Sequence, residues 1–169
     1  MLYLLNIYQF INMWGNFLME EREVVLINKF DGEYDFLSNF YPSPIKIEGI
    51  EFPTVEHAFQ AMKSLDITER QMIANEPTPG RAKRAGRKVA LREDWEKVKV
   101  WVMRECLRKK FSIPELKEKL LSTGNAYLVE GNEWHDQFWG SCYCPDCLRR
   151  PGLNMLGQLL MDIREEIRK

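Results

Sequence analysis

Apolar residues recur at helical spacing in three separated stretches of this 169-residue chain, and that period constrains its fold more than any other feature. Val55, Ala58, Phe59 and Met62 fall at i, i+3, i+4 and i+7. Trp95, Val98, Val102 and Cys106, flanked by Met103, Leu107 and Phe111, mark a long helix from about Asp94 to Lys110. Leu153, Leu156, Leu160, Ile163 and Ile167 give a closing helix, from about Leu153 to Arg168, its core face. Boundary signals agree with this period. Pro53-Thr54 opens the first helix with Thr54 as N-cap. A short helix is expected over Thr68–Ala74, and Glu76-Pro-Thr-Pro-Gly80 breaks the chain before another that starts at Thr78 or Gly80. Pro114 to Leu121 is helical, and Thr123-Gly124-Asn125 ends it.

Strand signals are brief. Glu23–Asn28 is rich in β-branched residues, and Tyr127–Asn132 makes a second short strand. Pro44–Phe52 forms a hairpin; with Glu48-Gly49 as its loop, Ile47 faces Ile50 and Ile45 faces Phe52. The aromatic-rich stretch from Phe30 to Tyr41 has no period and is expected as a loop with its rings turned inward; Glu133 to Pro151 is expected to be irregular. The expected class is mainly α with a few short β-strands, in a single domain over residues 23–169, without repeats or linkers.

Residues 1–22 form an N-terminal extension in which Asn6, Gln9, Asn12 and Asn16 make the polar stripe of an amphipathic helix. The four amides fit a membrane span poorly, and a basic leader and small-residue cleavage site are lacking. The segment is expected to be a packed helix, or to lie upstream of a true start at Met13 or Met19, and the protein to be cytoplasmic. Cys106, Cys142, Cys144 and Cys147 are too few and too clustered for a disulfide framework. The net charge of −1 gives no global pull toward nucleic acid or anionic lipid. Residues 81–110, however, carry twelve Lys and Arg against four Asp and Glu. That segment is either a set of solvated helix faces or the lining of a site for a phosphorylated ligand.

Three clusters can carry chemistry. Glu56, Gln60 and Lys63 share a stripe beside the apolar face of the first helix. Glu56 there serves the helix macrodipole, or it is a functional carboxylate that the dipole keeps ionised near neutral pH. His57 is a possible acid or base, though a lone helical histidine is more often structural. Asn132-Glu-Trp-His-Asp-Gln-Phe-Trp-Gly140 crowds aromatic rings around Asp136; such rings stack on a planar heterocycle or pin a loop into the core. Cys142-x-Cys144-x-x-Cys147 offers three thiols, with His135 or an outside group as a fourth donor. No second Cys-x-x-Cys accompanies it, so the cluster is expected to be reduced and metal-free. The absence of G-x-G-x-x-G, P-loop and G-x-S-x-G motifs argues against dinucleotide, NTPase and serine-hydrolase chemistry.

Taken in order, Phe36-Leu-Ser-Asn-Phe40, Phe52-Pro-Thr-Val-Glu-His-Ala-Phe-Gln-Ala61 with Lys63, Gly86-Arg87, Arg92-x-x-Trp95, Val102-Met103 with Lys110-Phe111, Asp136-x-x-Trp-Gly140, Gly152-x-Asn154-x-Leu-Gly157 and Leu159-Leu-Met161 resemble the NADAR (YbiA-like) family, from about Ile27 to Arg168. The resemblance implies a mainly helical N-glycosidase with no metal or organic cofactor. One branch acts on phosphorylated ribosylamino intermediates of riboflavin synthesis; another removes ADP-ribose from modified guanine, the one case in which nucleic acid is expected as a partner. By motif position it implies Glu56 and Asp136 as catalytic residues, and Trp95 and Trp139 at the substrate, with weaker parts for Asn39, Lys63 and Asn154. A substrate phosphate suits the basic segment, Arg84 and Arg87 above all. The Cys-x-Cys-x-x-Cys run departs from the glycine-rich loop of the riboflavin branch. From another class, a non-catalytic module binding ADP-ribose or a nucleotide would use the same basic, aromatic groove.

Overall fold

A computed structural model describes residues 25–169, so the N-terminal extension expected over 1–22 lies outside the described residues. Among the described residues the chain runs β1 (Leu26–Ile27), a 3₁₀ helix (Gly32–Leu37), β2 (Ile45–Ile47), β3 (Ile50–Phe52), α1 (Val55–Ala61), α2 (Ile67–Ala74), α3 (Pro79–Ala85), α4 (Trp95–Lys110), α5 (Pro114–Ser122), β4 (Tyr127–Leu128), β5 (Gly131–Asn132), β6 (Ser141–Cys142) and α6 (Met155–Arg168). Helices dominate, as expected. The strands form three separate two-stranded pairs: β2 with β3 antiparallel, and β1 with β4 and β5 with β6 parallel.

The hairpin has the register expected from its isoleucines, with Ile45 opposite Phe52 and Ile47 opposite Ile50. Glu48 and Gly49 both take positive φ, 47° and 84°, the backbone that a two-residue hairpin loop needs. Thr54 caps α1, its hydroxyl accepting from the His57 amide at 3.3 Å. Asp66 and Thr78 cap α2 and α3 in the same way. The core of α4 is Val102, Met103, Cys106 and Leu107, and it meets Leu156, Leu160 and Ile163 of α6.

Two local expectations change. The stretch expected as a loop between Phe30 and Tyr41 contains two 3₁₀ turns, which send Phe36 and Leu37 into the core. The closing helix begins at Met155, and Leu153 stands 56% exposed. Asn154 is the cause: its backbone is left-handed at φ 50°, so the helix cannot extend back through it.

Candidate active site

All seven residues of α1 are buried, polar ones included. The apolar stripe Val55, Ala58 and Phe59 secures the helix in the core, which brings the adjacent stripe with it. Gln60 donates from Nε2 to Glu56 Oε1 at 2.8 Å, one turn apart. The Glu56 amide donates to the Asn39 carbonyl at 3.0 Å, tying the first turn to the Phe36–Phe40 motif. Burial raises the Glu56 carboxyl above the ordinary carboxylate range; Gln60 and the charges of Lys83 and Lys63 work the other way, and Asp136 adds to the rise. The helix dipole therefore does not set its protonation, because Glu56 has only 5% of its surface in contact with solvent.

Phe59 carries the aromatic wall. Trp95, the first residue of α4, packs on it at a centroid distance of 5.1 Å, and Trp139 meets it edge-on at 5.2 Å. Phe138 meets Trp139 at 4.9 Å and lies beneath Lys99, whose Nζ is 4.2 Å from the Phe138 ring. Lys63 Nζ stands 6.0 Å from the Trp95 ring. Burial lowers the Lys63 pKa, Glu56 raises it, and Arg87 and Lys83 lower it further, so three cations share one neighbourhood.

The loop after β5 supplies Asp136 and Trp139. Asn132 fixes it, accepting at Oδ1 from the amides of Trp134 and Asp136 at 3.2 and 3.1 Å and donating from Nδ2 to the Asp136 carbonyl at 2.8 Å. Asp136 Oδ1 accepts from the amides of Phe138 and Trp139, at 3.1 and 2.9 Å. Glu130 completes the acidic side; burial, with Asp136 and Glu56 nearby, pushes its carboxyl up to about 7. Asn39 Oδ1, Gln60 Oε1 and Glu130 Oε2 are buried acceptors with no protein partner. Such atoms are costly in a native protein unless a ligand or water serves them.

Asn39, Lys63, Trp95, Asp136 and Trp139 thus gather around Glu56. Three of the expected residues are placed differently. Arg84 is exposed and lines an outer groove of about 470 Å³ with Arg81 and Lys88, whereas Lys83, one residue earlier on α3, faces Glu56. Arg87 also lines that groove while lying within electrostatic reach of Lys63. Asn154 is spent on the scaffold: Oδ1 accepts from the Glu130 amide at 3.0 Å and Nδ2 donates to the Leu128 carbonyl at 2.8 Å. The first of these bonds fixes the Glu130 backbone. His57 is structural, since Nε2 donates to the Glu76 carbonyl at 3.0 Å and Nδ1, 2.8 Å from Thr54 Oγ1, accepts from that hydroxyl.

Glu130 and Lys83 stand beside Glu56 without a sequence motif that marks them. A lone acid closing the apolar run Tyr127–Val129 before Gly131 was the available signal for Glu130; for Lys83 there was none within a helix of alternating bases. The thiols of Cys142, Cys144 and Cys147 are free, and His135 joins them. The expectation of a metal-free cluster rests on the missing second Cys-x-x-Cys; His135, the fourth donor offered by the sequence, lies beside the three thiols on the loop after β5.

The NADAR domain model matches residues 26–168. The chain is 44% identical over 138 residues to the N-glycosidase YbiA of Escherichia coli, covering 80% of this chain and 82% of that one. It is 35% identical over 142 residues to a riboflavin biosynthesis protein of Vibrio vulnificus, covering 82% of this chain and 37% of that longer protein. The NMR structure of Escherichia coli YbiA superposes with a TM-score of 0.74 at 40% identity, over 89% of each chain. Among the described residues no helix is long and apolar enough to cross a membrane.

Proposed function

The chain belongs to the NADAR family and is an N-glycosidase, and we propose that its substrates join a phosphorylated ribose, or the ribose of an ADP-ribosyl group, to a nitrogenous base. The observation that carries this reading is the buried Glu56–Gln60 pair set against the Phe59, Trp95 and Trp139 rings, with Lys63 and Lys83 close by. When the bond between the anomeric carbon and the base nitrogen breaks, its electron pair leaves with the base and positive charge builds on the ribose. A carboxylate held in a low-dielectric cradle stabilises that charge strongly, or captures it covalently. Water then adds to the anomeric carbon and loses a proton, which Asp136 is suited to take. Glu130, pushed up to about 7, retains a proton at neutral pH that the departing nitrogen can accept.

The remaining groups fit the rest of such a substrate. Indole faces suit a planar leaving base. The partnerless acceptors Asn39 Oδ1 and Gln60 Oε1 suit the hydroxyls of a ribose. Lys63, Lys83 and Arg87 suit a phosphate. Contact with nucleic acid would be limited to an ADP-ribosylated guanine presented as substrate. The test is incubation with ADP-ribosylated guanosine, a ribosylaminopyrimidine phosphate and ADP-ribose, with products followed by mass spectrometry. Release of free base and of the matching sugar phosphate or ADP-ribose is expected from one of the first two. Tight ADP-ribose binding with neither substrate cleaved would favour the non-catalytic binding module.

A further inference from the structure

We infer that His135, Cys142, Cys144 and Cys147 bind one structural zinc ion, which fastens the loop bearing Asp136 and Trp139. Their four donor atoms, the imidazole nitrogen and three sulfurs, lie within 4.8 Å of one another. Around a tetrahedral zinc, with Zn–S about 2.3 Å and Zn–N about 2.0 Å, donors stand roughly 3.6–3.8 Å apart. Closure onto an ion needs the widest pair to draw in by about 1 Å, about half an ångström per donor.

Hydrogen bonding alone does not account for the arrangement. Sulfurs of Cys144 and Cys147 each lie 3.3 Å from the same His135 Nδ1. One imidazole nitrogen serves one hydrogen bond well, either as donor or as acceptor. Two sulfurs converging on it, with a third in reach, match a shared cation. His135 is itself held in a left-handed conformation, φ 65°, which a non-glycine residue adopts at a cost and which turns its ring into the cluster.

The supporting hydrogen bonds belong to the backbone that carries the ligands. Cys142 lies on β6 opposite Asn132, and its amide donates to Gln137 Oε1 at 2.8 Å. Asn132 clamps the residues on both sides of His135. The Cys144 carbonyl accepts from the amides of Cys147 and Leu148, at 3.0 and 2.9 Å, closing the Cys-x-x-Cys turn. Trp134 and Leu148 stand exposed, so little apolar burial holds this stretch together. A metal replaces the missing core there.

The donor set selects the ion. Three thiolates and an imidazole suit zinc, whereas calcium and magnesium want oxygen. All four positions are filled by protein, which marks a closed structural site rather than one that activates water. The inference is independent of which base the enzyme releases.

Untagged protein expressed in zinc-supplemented medium and desalted should contain about one zinc per chain by elemental analysis. Cobalt(II) substitution should give the visible bands of tetrahedral thiolate coordination. Cys144→Ser/Cys147→Ser should lose the zinc, and chelation should lower the melting temperature of the wild type. If that double variant does not fold, mercurial titration of the wild type decides, since zinc release should track modification of three thiols and not of the buried Cys106. Less than ~0.1 zinc per chain after loading and gel filtration would overturn the inference. So would a full zinc content in the folded double variant.

Discussion

Three neighbours tune the Glu56 carboxyl. Gln60 one turn along α1, Lys63 just beyond its end and Lys83 on α3 offset the burial that raises its carboxyl. Gln60→Ala removes the hydrogen bond and leaves burial dominant, so the acid limb of the pH–rate profile should move upward. Unchanged limb positions in Gln60→Ala would contradict that assignment. Glu130 makes a stability statement as well. Its folded-state carboxyl titrates near 7, above the ordinary 4.5, so the folded protein holds a proton that the unfolded chain has already released. Stability from this group is full below about pH 4.5 and is lost as the pH rises to about 7. Glu130→Gln should therefore gain relative to the wild type between pH 5 and pH 8, by up to about 3 kcal/mol, in urea titrations at the two values. An equal difference at both would show that the carboxyl is not raised.

Among the elements, α1 and the turn after α3 approach too closely for any side chain at residue 86. A Cβ on Gly86 would fall 2.2 Å from Gln60 Oε1 and 2.7 Å from Gln60 Cβ. Gly86→Ala should displace Gln60 from Glu56, lowering kcat/KM about tenfold while costing about 1–3 kcal/mol in thermal unfolding. Wild-type kcat/KM in the folded variant would show that the Gln60 contact is dispensable. Local rules made much of this scale legible in the sequence. Thr54, Pro79 and the Glu48-Gly49 loop act on their nearest neighbours, so caps and hairpin register could be read directly. The parallel pairs β1–β4 and β5–β6 could not, because each strand is two residues long and its partner is fixed by the fold around it. Glu130 enters the site through the second half of that arrangement. Asn154, which follows the aromatic loop, holds the Glu130 amide from 24 residues away.

At the scale of the whole molecule, the central run of bases divides between two faces. Lys83 lies toward Lys63 and Glu56, Arg84 belongs to the outer groove with Arg81, itself paired to Glu76 at 3.0 Å, and Arg87 lines that groove within electrostatic reach of Lys63. The sequence revealed the charge but not this division, which follows from how α3 rolls against α1. Lys83→Ala with Arg87→Ala should raise KM about tenfold or more with kcat less affected; Arg84→Ala should leave KM within about twofold. A larger loss in Arg84→Ala would move the phosphate site to the outer groove. In the proposed mechanism this single core delivers a buried carboxylate to a breaking N-glycosidic bond. The most direct test is single-turnover base release by Glu56→Gln, whose fold is checked by circular dichroism and whose ligand affinity is checked by calorimetry. The expected result is a folded protein that binds the substrate nearly as well as wild type and releases base about 10²–10³-fold more slowly. Base release at near wild-type rate would remove Glu56 from the mechanism.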